Sequence, residues 1–267
     1  MKNQILNISV ISVLISILIF FTGCGLSGNK DTGTFQVLLT DAPANYESVF
    51  VDIQEVRIHK SNSADDQDSG WITVQREPMV VDLIELTNGN VEFLGEIDLE
   101  PGRYSQLRLI LGDQNEVVIN GESYPLTTPS AQQSGLKIQI NTDIESGSAY
   151  TLLLDFDASK SVIKTGASNN YMLKPVIRAS RLEQSGQIAG TIQPANALPW
   201  VYAISGSDTL RSTKAAENGD FLLIGLANKN YRVSFIPTNQ NYSPMSKNDV
   251  EVRASETTNI GTVNFSN

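Results

Sequence analysis

Apolar residues are arranged along this chain in two ways. From residue 5 to residue 21 they run almost unbroken, interrupted by small or amide side chains. From Phe35 onward they come in short runs of β-branched, aromatic and leucine residues, separated by Gly, Pro, Asn and Asp. Short runs between turn-forming residues predict an antiparallel β protein. The expected strands cover residues 35–39, 49–58, 71–74, 80–86, 104–111, 116–119, 136–140 and 150–156, then 187–193, 200–205, 220–224, 231–237, 250–252 and 262–265. Residues 81–86 alone have weak helical character, and their length predicts strand or a single turn.

Within residues 49–58 the apolar positions alternate as Val49, Val51 and Ile53, then resume at Val56 and Ile58. A period of two cannot slip by one residue without an insertion, so a β-bulge is expected near Gln54-Glu55. The bulge re-aims His59. Residues 61–70, with Asp65, Asp66 and Asp68, read as a solvated loop whose acids serve solubility.

Residues 26–34 are rich in Gly, Ser, Asn and Asp and cannot bury enough apolar surface to offset the entropy of ordering, which predicts a flexible tether over residues 24–33. A second change of composition falls at residues 183–186. The chain is therefore expected to carry two β-sandwich domains, residues 34–182 and 186–267.

The apolar N-terminal run follows Lys2 and ends in Phe21-Thr22-Gly23-Cys24, the layout of an export signal. That ending resembles the lipobox of bacterial lipoproteins. The resemblance implies cleavage of a signal peptide, residues 1–23, followed by acylation of Cys24. Phe21 departs from the leucine usual at its position. The alternative is an uncleaved membrane anchor, although about 17 residues lie at the lower edge of a spanning length. Two or three acyl chains would hold a protein durably on a membrane, where one short chain would not. Without residues 1–23 the chain keeps 18 basic and 29 acidic side chains, a formal charge of −11. That sign disfavours nucleic acid and anionic headgroups. Cys24 is the one cysteine, so no disulfide or thiolate metal site is expected.

Four ordered motifs follow the tether: Thr40-Asp41-Ala42-Pro43, the run from Leu99 through Gly102 and Tyr104 to Leu109, Asp155 to Ser161, and Leu173 to Arg178. Together they resemble the domain of unknown function 4382 family, largely bacterial envelope lipoproteins with an expected β-sandwich and no established activity. The second domain is similar to the carboxypeptidase regulatory-like family, through Ile188 and Gly190, Pro199 with Val201 and Ala203, residues 218–221, and Leu226 with Tyr231. Ala215-Ala216 and Lys229 depart from that family's turn residues. The resemblance implies a transthyretin-like, carbohydrate-binding-like sandwich that spaces or docks and has no catalytic residues. The expected setting is the cell envelope, on the outer membrane, with the membrane reached through lipid and an envelope protein or glycan as partner.

The chemistry on offer is narrow. A serine or cysteine hydrolase needs a general base, and zinc sites usually draw several histidines. Here His59 is the one histidine. Asp155 and Asp157, two apart on a strand, share a face opposite the core-facing Leu152, Leu154 and Phe156. They could bind calcium with Asp41, the single cofactor candidate, or serve a carboxylate-based hydrolase. The alternative is a polar network with Arg108 or Arg178 that fixes strand register. Trp200 and Tyr202 share the outer face of their strand and could form a platform for a sugar ring. The same aromatics would equally suit a face covered by the first domain or a protein contact. The leading expectation is a non-enzymatic, lipid-anchored binding or scaffolding protein, with a glycan-binding accessory second and a hydrolase third.

Overall fold

The computed structural model describes residues 32–65, 69–128, 135–166 and 170–266. Cys24, the apolar segment before it, Asp66 and Asp68 lie outside the described residues. No helix among the described residues is long and apolar enough to cross a membrane.

The protein is all-β. The first part of the chain forms β1 (Gly33–Ala42), β2 (Ser48–His59), β3 (Ile72–Gln75), β4 (Met79–Asp82), β5 (Glu92–Leu99), β6 (Gly102–Leu111) and β7 (Glu116–Ile119). It continues with β8 (Glu122–Thr127), β9 (Leu136–Ile144), β10 (Ala149–Asp157), α1 (Ala158–Ser161), β11 (Val162–Thr165), β12 (Asn170–Leu173) and β13 (Ile177–Arg181). A four-stranded sheet in the order β13-β10-β1-β5 faces a nine-stranded sheet built around β2 and β6. Phe35, Val37 and Leu39 of β1 and Leu152, Leu154 and Phe156 of β10 meet Val49, Val51, Ile53, Val56 and Ile58 of β2 in one apolar core. Residues 83–86, after β4, form a 3-10 turn, started by Asp82, whose Oδ1 accepts from the Ile84 amide at 3.1 Å.

The second part forms β14 (Ser185–Gln193), β15 (Trp200–Ser205), β16 (Asp208–Lys214), β17 (Asp220–Ala227), β18 (Lys229–Ile236), β19 (Met245–Val252) and β20 (Thr257–Asn264). Sheets β17-β14-β20 and β16-β15-β18-β19 enclose a separate core of Ile188, Val201, Ala203, Phe221, Tyr231, Val233, Phe235 and their neighbours. In each sandwich a tyrosine reaches back four residues: Tyr104 Oη donates to Glu100 O at 3.1 Å, and Tyr231 Oη to Ala227 O at 2.9 Å. Each bond satisfies a carbonyl where the chain turns between strands, as in the tyrosine corners of other sandwiches.

The bulge in β2 lies where the alternation slips, for Ile53 faces Leu111 and Glu55 faces Ile110, leaving Gln54 unpaired. Most pairs are antiparallel as expected, but β1 and β10, β8 and β12, and β14 and β20 pair in parallel. Strands that cross between facing sheets can return in the same direction, and hydrophobic alternation carries no information about direction. The parallel β1/β10 pair sets Thr40 beside Asp155 and Ala42 beside Asp157, which brings two of the four family-like motifs together.

Candidate functional site

Alternation stops along β10. Residues 152–158 are all buried, although only every second one faces the first core. The second sandwich covers the other row. Gly225, at φ +71, comes so close that a Cβ there would lie 2.8 Å from Leu153 Cδ2, so glycine admits both the left-handed backbone and the close approach. Nearby, Asn88, at φ +58, links the turn after the 3-10 segment to the second sandwich. Its backbone amide donates to Thr213 Oγ1 at 2.8 Å and its Oδ1 accepts from the Leu222 amide at 2.7 Å. Asn88→Ala is expected to cost about 1–2 kcal/mol, since it leaves a half-buried amide unpaired. Urea unfolding would measure this, and a loss under a few tenths would mean that Asn88 does not fasten the junction.

Asp155 and Asp157 sit at that junction, each about 2% exposed. Asp155 Oδ2 lies 3.2 Å from Arg211 Nη1 and 3.9 Å from Arg178 Nη1. Arg211 belongs to β16, and its Nη2 also donates to Ser180 Oγ of β13 at 3.0 Å. Asp157 is the N-cap of α1: it accepts from the Lys160 amide at 3.2 Å and from Ser159 Oγ at 2.6 Å, and it pairs with Lys160 Nζ and, at 3.6 Å, with Arg178. Asp41 Oδ1 accepts from the Ala158 amide at 2.9 Å, while its Oδ2 has no hydrogen-bond partner among the described residues. Burial pushes the Asp41 carboxyl well above the usual carboxylate range, and the charges of Asp155, Asp157 and Asp82 push it further, against the Ala158 bond. Burial also raises Asp155, although Arg211 and Arg178 oppose it. Desolvation therefore outweighs pairing at this position.

The structure brings Asp41, Asp155 and Asp157 together but answers them with cations of the chain itself. Among the described residues no group of three or more His, Cys, Asp and Glu side chains is arranged to hold a metal ion. Asp155 and Asp157 are the two acids that the sequence singled out for calcium or hydrolysis. Both are engaged in ion pairs, and the cavity beside Asp41, Asp155 and Arg211 measures about 10 Å³. Such a space admits no more than a water molecule. Of the arginines expected as partners, Arg178 takes part and Arg108 does not. Arg108 stands in β6 of the other sheet, where Nη2 donates to Ala64 O at 3.2 Å and the guanidinium lies 4.7 Å from the Trp71 ring centroid. The main partner is Arg211, which the sequence reading missed because β16 has no apolar alternation to announce it.

His59 is held at both ring nitrogens. Its Nδ1 accepts from the Ser61 amide at 2.8 Å, which leaves the proton on Nε2 to be donated to Ser69 O at 3.0 Å. With both nitrogens held and Trp71 against its ring, His59 closes its own loop. Asp65 there pairs with Lys137 at 2.9 Å.

Trp200 and Tyr202 lie on the outer face of β15, while Val201 and Ala203 are fully buried in the core, as the alternation requires. They line one wall of a cleft of about 720 Å³ between the sandwiches. The opposite wall carries Asn45, Asp157, Lys160 and Arg178. Of the three acids singled out in the sequence, Asp157 thus shares this space with the aromatic pair, whereas Asp41 and Asp155 line the small cavity.

These features define an all-β protein of two sandwiches joined through a buried ionic seam. Residues 32–175 match the family described as Domain of unknown function (DUF4382), more than half of the sequence, and the chain belongs to that family. None of the curated proteins matches the chain. Among solved structures, the Bacillus anthracis TIE protein aligns at 12% identity over 88% of this chain and 34% of its own, with a TM-score of 0.24. This chain therefore spans about a third of that protein's length. The minor pilin GBS52 of Streptococcus agalactiae aligns at 10% identity over 86% of this chain and 95% of its own, TM-score 0.23. The shaft pilin SpaA of Lactobacillus rhamnosus GG aligns at 11% identity, covering 88% and 98%, TM-score 0.24.

Proposed function

We propose that this chain is a lipid-anchored, non-enzymatic protein of the bacterial cell envelope that binds or scaffolds at the outer membrane. Residues 34–182 form its first domain and residues 186–267 a carboxypeptidase regulatory-like domain held rigidly against it. The observation that carries the reading is the junction, where Arg211 crosses from one sandwich to Asp155 of the other at 3.2 Å and Asn88 bonds to the second sandwich through its backbone and side chain. Two sandwiches fastened this way present a fixed surface, which suits display and docking better than a catalytic cycle with moving parts. The engagement of His59, Asp155 and Asp157 in structural bonds supports the same reading.

The anchor rests on Gly23-Cys24 at the end of the apolar segment. Wild-type protein is expected in the detergent phase after phase partitioning, with an acylated N-terminus by mass spectrometry. Cys24→Ser is expected in the aqueous phase or as an uncleaved precursor without acyl mass. An unacylated wild-type chain that stays with the membrane would instead mean that residues 5–21 hold it directly.

A further inference from the structure

We infer that the cleft between the two sandwiches is a saccharide-binding site for a neutral oligosaccharide, with walls contributed by both sandwiches. The first observation concerns the aromatic tips. Several other rings among the described residues are tied down at their polar tips: Trp71 Nε1 donates to Asp65 O at 2.7 Å, and Tyr104, Tyr124, Tyr231 and Tyr242 donate from their hydroxyls, while Tyr46 and Tyr171 do not. Among the described residues, Trp200 Nε1 and Tyr202 Oη have no hydrogen-bond partner, and neither ring stacks on another aromatic or a cation. Rings with an apolar face and a free polar tip are suited to a ligand that is apolar on one side and hydroxylated at its edge. A pyranose ring has that character. Burial raises the Tyr202 phenol, in keeping with its partly dry setting.

The second observation is the charge of the opposite wall. Lys160 and Arg178 are both paired with Asp157, and Asp208 at the cleft rim adds a further carboxylate. Two cations and two carboxylates balance, so the cleft offers no net charge to select an ionic ligand. It offers donors and acceptors, including the amide of Asn45, around an aromatic wall. Hydroxyl groups both give and accept hydrogen bonds, and a mixed set of donors and acceptors recognises them better than it recognises an anion or a cation. The volume, about 720 Å³, falls in the range of ligand clefts, and their usual place is where two structural units meet. The inference extends the binding role proposed above and is independent of the lipid anchor.

The test is titration of the detergent-solubilised full chain against defined sets of neutral β- and α-linked gluco-, manno- and xylo-oligosaccharides and matched uronic-acid oligomers. At least one neutral series is expected to bind, in preference to its acidic match. Trp200→Ala with Tyr202→Ala is expected to weaken that binding about tenfold or more, the scale of two lost aromatic contacts, with the melting temperature held. Asn45→Ala, on the first sandwich, is expected to weaken it severalfold and serves where the double variant proves unstable. Binding of uronic-acid oligomers alone would overturn the neutral assignment. No binding in any series, or full affinity in both the aromatic variant and Asn45→Ala, would overturn the site.

Discussion

Replacing Arg211 with alanine is expected to lower stability by about 3–5 kcal/mol, the cost of stranding a buried charge. The Arg211 side chain is 10% exposed and Asp155 is 2% exposed, so the pair has little access to water in the intact seam. Arg178, the other cation near Asp155, stands at 3.9 Å with a side chain 35% exposed and already serves Asp157. Ser180 Oγ would lose its donor as well. The loss belongs to the unpaired carboxylate and not to the pair as such, because buried ion pairs often gain little over apolar groups of the same size. Arg211→Met combined with Asp155→Leu should therefore be less damaging than Arg211→Ala alone. Urea unfolding of wild type, each single variant and the double variant would measure the coupling. Trp71 and Trp200, the two tryptophans, fall one in each sandwich and report each separately by fluorescence. An Arg211→Ala variant within about half a kcal/mol of wild type would show that the seam is solvated and carries little of the junction.

The parts of this architecture that the sequence revealed are those governed by local period. Alternation in β2 gave the strand and its bulge, because a single unpaired residue shifts every later side chain to the other face. Alternation in β15 gave the outward row of Trp200 and Tyr202. Strands that escaped have mixed burial for reasons outside their own segment. β16 carries one apolar residue, Leu210, because Arg211 and Thr213 are spent on the other sandwich, at Asp155 and Asn88. β5 carries Glu92, Glu96 and Asp98 on an outer strand of its sheet, which hides its period. Asp155 and Asp157 were legible as a polar row, and the burial of that row was not, since it depends on contacts with residues more than fifty positions away. The cleft is a product of the same docking. Each wall could be read from its strand, but their meeting could not.

Asp41→Asn is expected to stabilise the protein at neutral pH by about 1–3 kcal/mol, because it removes a buried charge while the amide Nδ2 takes the unpartnered place of Oδ2. Asp41 is 3% exposed, and it keeps one bond, from the Ala158 amide to Oδ1, that an asparagine carbonyl accepts equally well. The charge gains nothing further, because Oδ2 is unpartnered among the described residues and Asp155, Asp157 and Asp82 repel it. Burial and that repulsion raise the folded carboxyl well above its usual value of about 3.9, so over the interval between the two values the native state holds more protons than the unfolded chain. Stability from this group is then complete below the unfolded value and falls as pH rises through the folded one. Asparagine has no proton to lose. Its advantage should be near zero at about pH 3.5, widen across the interval, and level off above the folded value. Unfolding free energies for both proteins, measured in steps from acid to neutral pH, would trace that curve. A difference that stays constant with pH, or that favours aspartate at neutral pH, would mean that Asp41 is held ionised by the cations at the seam, and the three acids would then be balanced by Arg211, Arg178 and Lys160 as full charges.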